Sequence, residues 1–184
     1  MAITRAEQVE QVFDAISYRK GASVIRMIFS ILGQDAFRAG LQLYMRKHQY
    51  GNTETSDLWG AWEVTSGLPI GQLMASWTEQ MGFPVLLVTS ATKVEGGVNL
   101  NIEQRWFLAD GSEGDGRTWT VPVRIATSKN PDGDGKPEFF HSQVFSITVP
   151  AAEGEWIKLN AGQTVPMRVA YTPALLDSLA IGIR

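Results

Sequence analysis

The hydrophobic pattern of this chain changes its period once, near Gly82-Phe83-Pro84. Before this point apolar residues recur every three or four positions, which is typical of amphipathic helices. After it apolar and polar residues alternate, which is typical of half-buried strands. A glycine followed closely by a proline also ends a helix, because proline has no backbone N–H with which to continue it. The sequence therefore predicts an α+β fold, with an α-helical segment over residues 1–82 and an antiparallel β-sandwich over residues 83–172.

The helical segment divides at its capping residues and glycines. Thr4-Arg5-Ala6-Glu7 has the form of a capping box and predicts a helix start. A second helical pattern runs over residues 18–32, and Gly33 is placed to end it. A third pattern over residues 34–48 predicts another helix directly behind this glycine.

Two shorter helices complete this segment. Thr55 or Ser56 is expected to cap the first of them, and Pro69 suits the first position of the second. The second helix carries an apolar stripe on one face, made of Ile70, Leu73, Met74, Trp77 and Met81. This stripe predicts a helix that is buried along one side.

The rest of the chain contains six or seven short strands separated by Gly, Pro and Asn turns, a spacing typical of a sandwich. Gly96-Gly97 is the clearest hairpin turn, and Pro122 indicates an edge strand because it cannot donate to a ladder. After Tyr171 a helical period returns at Thr172-Pro173. Residues 173–184 are therefore expected to be the start of a truncated helical domain.

Composition excludes several functional classes. The chain has no cysteine, so it has no disulfide framework and no thiolate metal site. Its net charge is -3 without a basic stripe, which argues against nucleic acid as a partner. No apolar run is long enough to span a membrane, and residues 1–12 lack the apolar core of a signal peptide. We therefore expect a cytoplasmic protein with no membrane partner.

The residues alone predict no metal site. A hydrolytic zinc site needs three protein ligands, and the two histidines, His48 and His141, lie on different predicted elements. Asp132-Gly133-Asp134-Gly135 begins like a calcium loop, but Lys136 and Pro137 stand where the pattern requires a further ligand and a glycine. This segment is interpreted as a turn.

The remaining candidate is Tyr18, in the run Ile16-Ser17-Tyr18-Arg19-Lys20-Gly21-Ala22. By itself, a tyrosine near a helix start is usually a packing residue. The run, however, resembles a segment of the M1 (gluzincin) family of zinc aminopeptidases, with the puromycin-sensitive branch the most similar. Further matches follow in the family's order: Asp57-Leu58-Trp59, the Met74–Pro84 run, Trp119-Thr120-Val121-Pro122 and Trp156-Ile157-Lys158-Leu159-Asn160.

The resemblance implies a fold and a residue role. Residues 1–82 would be the C-terminal helices of a thermolysin-like catalytic domain, and residues 83–172 the β-sandwich domain that follows it. Tyr18 would be catalytic, with its phenol donating a hydrogen bond to the oxyanion of the tetrahedral intermediate. One turn departs from the family: Val165-Pro166-Met167 replaces its usual glycine and aromatic residue, which leaves the role of that turn open.

The resemblance also implies a longer parent enzyme that removes N-terminal residues from peptides. Zinc would be the cofactor of that parent. The family's zinc-binding His-Glu-x-x-His is absent from this chain, so this fragment is expected to bind no zinc and to be inactive alone. Its partners would be peptide substrates and the upstream catalytic and downstream helical domains.

Two functions from other classes remain open. The chain could be a non-catalytic α+β interaction module that docks a partner through exposed helical faces. It could also be a sandwich that binds carbohydrate through its tryptophans, of which there are six.

Overall fold

A computed structural model of the chain describes residues 15–133, 135–152 and 154–182. The capping box predicted at residues 4–7 lies outside these ranges. The helical segment forms α1 (Ala15–His48), α2 (Thr55–Ser66) and α3 (Ile70–Thr78). These helices agree with the hydrophobic periods of the sequence.

Gly33 interrupts α1 where the sequence predicts a helix end. Its backbone angles, φ 73° and ψ 170°, are not helical, so two helical halves meet there at a kink. A residue with a side chain is strained at such a positive φ, whereas glycine is not. The predicted boundary between residues 18–32 and 34–48 is therefore confirmed.

The ends of the shorter helices differ slightly from prediction. The N-cap residue of α2 is Glu54 and not Thr55 or Ser56. The Glu54 N–H donates to Asp57 Oδ2 at 2.9 Å. A carboxylate three positions into a helix satisfies an N–H that lacks a helical partner, as in a capping box. α3 ends at Thr78, so Met81 lies beyond the helix and is 70% exposed.

The strands of the strand-rich part are β1 (Pro84–Val94), β2 (Gly97–Trp106), β3 (Val121–Val123), β4 (Ile125–Thr127), β5 (Glu138–Phe140), β6 (Val144–Val149), β7 (Ile157–Leu159) and β8 (Arg168–Ala170), and helix α4 (Pro173–Gly182) follows. Over the described residues these strands form one four-stranded sheet and two small ladders. The sheet has the order β6-β2-β1-β8, and the ladders pair β3 with β5 and β4 with β7.

The α+β class is confirmed, and the predicted hairpin at Gly96-Gly97 joins β1 to β2. Pro122 lies in β3, which among the described strands pairs with β5 alone, as expected of an edge position. The pairing of β8 differs from an all-antiparallel arrangement, because β8 runs parallel to β1. A parallel pair needs a long connection, and here the chain from β2 to β7 provides it.

One hydrophobic cluster joins the helices to the sheet. Its buried members include Val24, Met27 and Ile28 of α1 together with Leu86 and Leu100 of the sheet. Burial of such side chains is the main force that holds the two parts together. None of the helices in the described part of the chain has the length and apolarity that a membrane span requires.

Hydrogen bonds reinforce this contact along a seam, which we define as residues 76–80 against residues 118–120. Trp77 Nε1 donates to the Thr120 carbonyl at 2.9 Å, and Gln80 Nε2 donates to the Thr118 carbonyl at 2.8 Å. The Thr120 N–H donates to Ser76 Oγ at 3.1 Å. The end of α3 is therefore fixed to the segment that leads into β3.

Gly40 provides a test of the packing between α1 and α2. A Cβ at this position would overlap Cδ1 of Trp62 and lie 2.8 Å from its Nε1. The Trp62 ring cannot move away easily, because it stacks on Phe37 and Trp59 and its Nε1 donates to the Phe37 carbonyl at 3.0 Å. Gly40 is therefore required for close helix contact.

We expect Gly40→Ala to lower the free energy of unfolding by about 1–3 kcal/mol, the usual cost of overpacking, although alanine favours helices. Gly60→Ala in α2 is the matched control. A Cβ there meets nothing within 4 Å, so this change should raise stability by about 0.5–1 kcal/mol. Urea unfolding followed by circular dichroism measures both values. A stabilised Gly40→Ala variant would show that the helices are not in this contact.

Candidate functional site

Tyr18 lies in the first described turn of α1, and its side chain is 64% exposed. It is not buried in the cluster that joins the helices to the sheet, so a packing role does not account for it. A phenol O–H can donate a hydrogen bond to an oxygen that carries negative charge. The position thus leaves Tyr18 accessible to a ligand.

The two faces of this part of α1 differ sharply. Val24, Met27 and Ile28 are at most 4% exposed and face the core. Tyr18 lies one helical turn before Gly21 and Ala22. These three residues share one face of α1, and this face is exposed in this chain. A Cβ added at Gly21 would meet nothing within 4 Å. There is consequently open space beside the backbone of α1 at Gly21, one turn after Tyr18.

Lys20 holds the same turn of α1 to the rest of the fold. Its Nζ donates to the backbone carbonyl of Gln80 at 3.0 Å, and burial lowers the pKa of this ammonium. Two arginine contacts fix α1 further along the helix: Arg26 Nη2 donates to the Gly162 carbonyl, and Arg124 Nη2 donates to the Ser30 carbonyl. Sequence reasoning missed the Lys20 contact, because no local pattern predicts a partner sixty residues away.

The described residues do not fit a zinc site. His48 lies at the opposite end of α1 from Tyr18, with Nε2 3.8 Å from Asp57 Oδ1, and His141 follows β5. Among the residues in the described ranges there is no group of three or more His, Cys, Asp or Glu side chains that could hold a metal ion. A catalytic zinc needs three such ligands, so no chemical step can be assigned to zinc within this part of the chain.

Gln104 is a buried polar residue that sequence reasoning also missed. It is 0% exposed, its Oε1 accepts the Trp119 N–H at 2.5 Å, and its Nε2 donates to the Ser142 carbonyl at 3.4 Å. Leu100 and Ile102 point to the same inner face of β2. Extending that alternation by one step would have placed Gln104 in the core.

The turn that departs from the family pattern is held by hydrogen bonds from a buried side chain to its backbone. Asn160 is buried with a positive φ of 59°, and its side chain bonds both backbone groups of Val165, at 2.9 and 3.1 Å. Tyr171 supports the strand before this turn, because its hydroxyl accepts the Leu159 N–H at 2.8 Å. Burial raises the pKa of Tyr171 to about 12, so this hydroxyl stays neutral.

The tryptophans give no support to a carbohydrate site, since each of the six is buried or half-buried. Trp62, Trp77 and Trp119 are at most 1% exposed. The guanidinium of Arg117 lies 3.9 Å from the centre of the Trp106 ring and covers it.

The segment that begins like a calcium loop, residues 132–135, includes Asp134, which lies outside the described residues.

Comparisons with known proteins agree with the resemblance. A model of the peptidase family M1 domain matches residues 1–77. "Aminopeptidase M1" of Arabidopsis thaliana is 40% identical over 99% of this chain and 21% of its own length. "Puromycin-sensitive aminopeptidase" of Caenorhabditis elegans is 38% identical over 96% of the chain and 19% of its length. "Tricorn protease-interacting factor F2" of Thermoplasma volcanium is 37% identical over 90% of the chain and 19% of its length.

The chain thus spans about a fifth of the length of the curated relatives it matches. The matches run across both the helical segment and the strand-rich part, which excludes a similarity limited to one short motif. The chain belongs to the peptidase M1 family.

Proposed function

We propose that this chain is one part of a longer zinc-dependent aminopeptidase, in which Tyr18 stabilises the transition state of peptide-bond hydrolysis. The names of the relatives support an aminopeptidase activity. The observation that carries the role of Tyr18 is its exposed phenol, on a helix whose opposite face is buried in the core.

The chemistry of Tyr18 follows from its position. When a water molecule attacks a peptide carbonyl, negative charge develops on the carbonyl oxygen. A phenol O–H held near that oxygen donates a stronger hydrogen bond to the transition state than to the substrate. An interaction that strengthens in this way accelerates the reaction. The exposure of the Tyr18 side chain would let the substrate carbonyl approach the hydroxyl.

The remaining catalytic parts would come from other segments of the parent enzyme. We propose that residues 1–82 end a thermolysin-like catalytic domain, that residues 83–172 form the domain after it, and that residues 173–184 begin a helical domain. The zinc ligands and the groups that bind the substrate amine would lie upstream. Peptides would be the substrates, and a cytoplasmic location stays a prediction.

The proposal is tested by comparing this chain with the full-length enzyme that contains it. We expect the purified chain to fold, as judged by circular dichroism, but to hydrolyse no aminoacyl fluorogenic substrate and to hold no stoichiometric zinc. The full-length enzyme should hydrolyse the substrate and hold stoichiometric zinc. Hydrolysis together with one bound zinc per chain, in the fragment alone, would refute the proposal.

A further inference from the structure

We infer that Lys20 is a positioning residue: by donating to the Gln80 carbonyl, its ammonium holds the turn of α1 from which Tyr18 projects. This inference rests on the proposed role of Tyr18. It adds a second functional side chain to the site, one that acts through Tyr18 rather than on the substrate.

The helix geometry places the two side chains on opposite sides. Two residues along an α-helix correspond to a rotation of about 200°. Tyr18 is exposed, whereas Lys20 is partly buried against the end of α3. The Lys20 contact can therefore fix the helix without occupying the space in front of the phenol.

The Lys20 bond is of a strong type. Its donor is an ammonium group, and hydrogen bonds from charged donors contribute more than those between neutral groups. Partial burial of Lys20 removes part of the competition from water, the same burial that lowers the pKa of this lysine. Methionine at this position would keep an apolar stem but remove the donor.

The acceptor, the Gln80 carbonyl, lies in a part of the fold that other hydrogen bonds hold in place. Gln80 lies in the seam, where its own side chain donates to the Thr118 carbonyl at 2.8 Å. Trp77, three residues earlier, is also fixed to this segment. The contacts made by Arg26 and Ser30 lie about two and three turns beyond Tyr18 along α1. Lys20 therefore links the Tyr18 turn itself to a rigid support.

Loss of the Lys20 hydrogen bond should change the position of Tyr18 more than it changes the rest of the fold. A misplacement of about 1 Å at a reacting group can cost about 100-fold in rate. We expect Lys20→Met in the full-length enzyme to lower kcat about 10-fold or more, with KM changed by less than about twofold. Lys20→Arg, which keeps a cationic donor, should stay within about threefold of the wild-type kcat.

A double-mutant cycle with Tyr18→Phe separates positioning from a general structural role. If Lys20 acts through Tyr18, Lys20→Met should lower kcat strongly in the enzyme that has Tyr18. In the Tyr18→Phe enzyme the same change should lower kcat by less than about twofold. Lys47→Met, at an exposed lysine of the same helix, is the matched control and should leave kcat unchanged. If Lys20→Met yields no folded protein, Lys20→Gln takes its place in the same cycle.

Hydrogen exchange on the isolated chain gives a readout independent of activity. Lys20→Met should speed the exchange of backbone amides in residues 17–24, and Lys47→Met should not. Equal kcat losses in both Tyr18 backgrounds, or unchanged exchange in residues 17–24, would overturn the inference. If Tyr18→Phe alone leaves kcat unchanged, the proposed function fails, and the inference fails with it. A normal kcat in Lys20→Met beside a large Tyr18→Phe loss would overturn the inference alone.

Discussion

We expect replacement of Tyr18 by Phe in the full-length enzyme that contains this chain to lower kcat by about 100- to 1,000-fold and to leave KM within about twofold. This loss corresponds to about 2.7–4 kcal/mol of transition-state stabilisation, the usual cost of removing one donor to an oxyanion. The phenylalanine ring keeps the shape of the side chain and removes only the O–H. Because Tyr18 is 64% exposed, stability should change little.

Tyr50→Phe is the matched control for this experiment. Tyr50 is fully exposed in the turn after α1, and the same atom is removed. Its kcat and KM should equal those of the wild type. Steady-state kinetics on a leucine or alanine fluorogenic substrate gives kcat and KM for the wild type and both variants. A Tyr18→Phe enzyme with a kcat within threefold of the wild type would remove Tyr18 from the mechanism.

We expect replacement of Trp77 by Ala to lower the free energy of unfolding by about 3–5 kcal/mol, the range for deleting a buried aromatic side chain. Trp77 is 1% exposed, its ring centre lies 6.5 Å from that of Trp119, and its Nε1 donates to the Thr120 carbonyl. The change would leave a cavity and an unpaired carbonyl in the seam. Such a loss is a large share of the stability of an ordinary domain, about 5–15 kcal/mol.

Two controls separate the causes of this loss. Trp77→Phe removes the N–H but keeps most of the ring, so its cost should be clearly smaller, about 1–3 kcal/mol. Val64→Ala, at a side chain that is 76% exposed on α2, should change stability by less than about 0.5 kcal/mol. Urea unfolding of the isolated chain measures all three variants. A Trp77→Ala variant as stable as Val64→Ala would mean that the seam does not hold the two parts together.

Local patterns predicted most of the secondary structure, and they did so for physical reasons. The periods of 3.6 and 2 reflect which face of an element is buried. Gly33 and Gly96-Gly97 were identifiable because positive φ angles favour glycine. The parallel pairing of β8 with β1 was not predictable in this way, because it joins residues that are distant in sequence. Whether the domain boundaries lie at residues 82 and 172 stays a prediction.

The site was only partly predictable. Residue chemistry alone did not distinguish Tyr18 from a packing tyrosine, and the resemblance to the M1 family supplied its proposed role. The structure adds that the side chain is exposed and that open space lies beside Gly21. The Lys20 contact with Gln80 depends on how α1 packs against the end of α3, which no short motif encodes.

The most direct test of the central claim is the affinity of the full-length enzyme for a transition-state analogue. A phosphinic dipeptide carries a tetrahedral, negatively charged group in place of the scissile peptide bond, and such analogues bind through the contacts that accelerate the reaction. We predict that Tyr18→Phe raises its inhibition constant by the same factor, about 100- to 1,000-fold, by which kcat/KM falls. An unchanged inhibition constant beside a reduced kcat/KM would contradict the claim that Tyr18 stabilises the transition state.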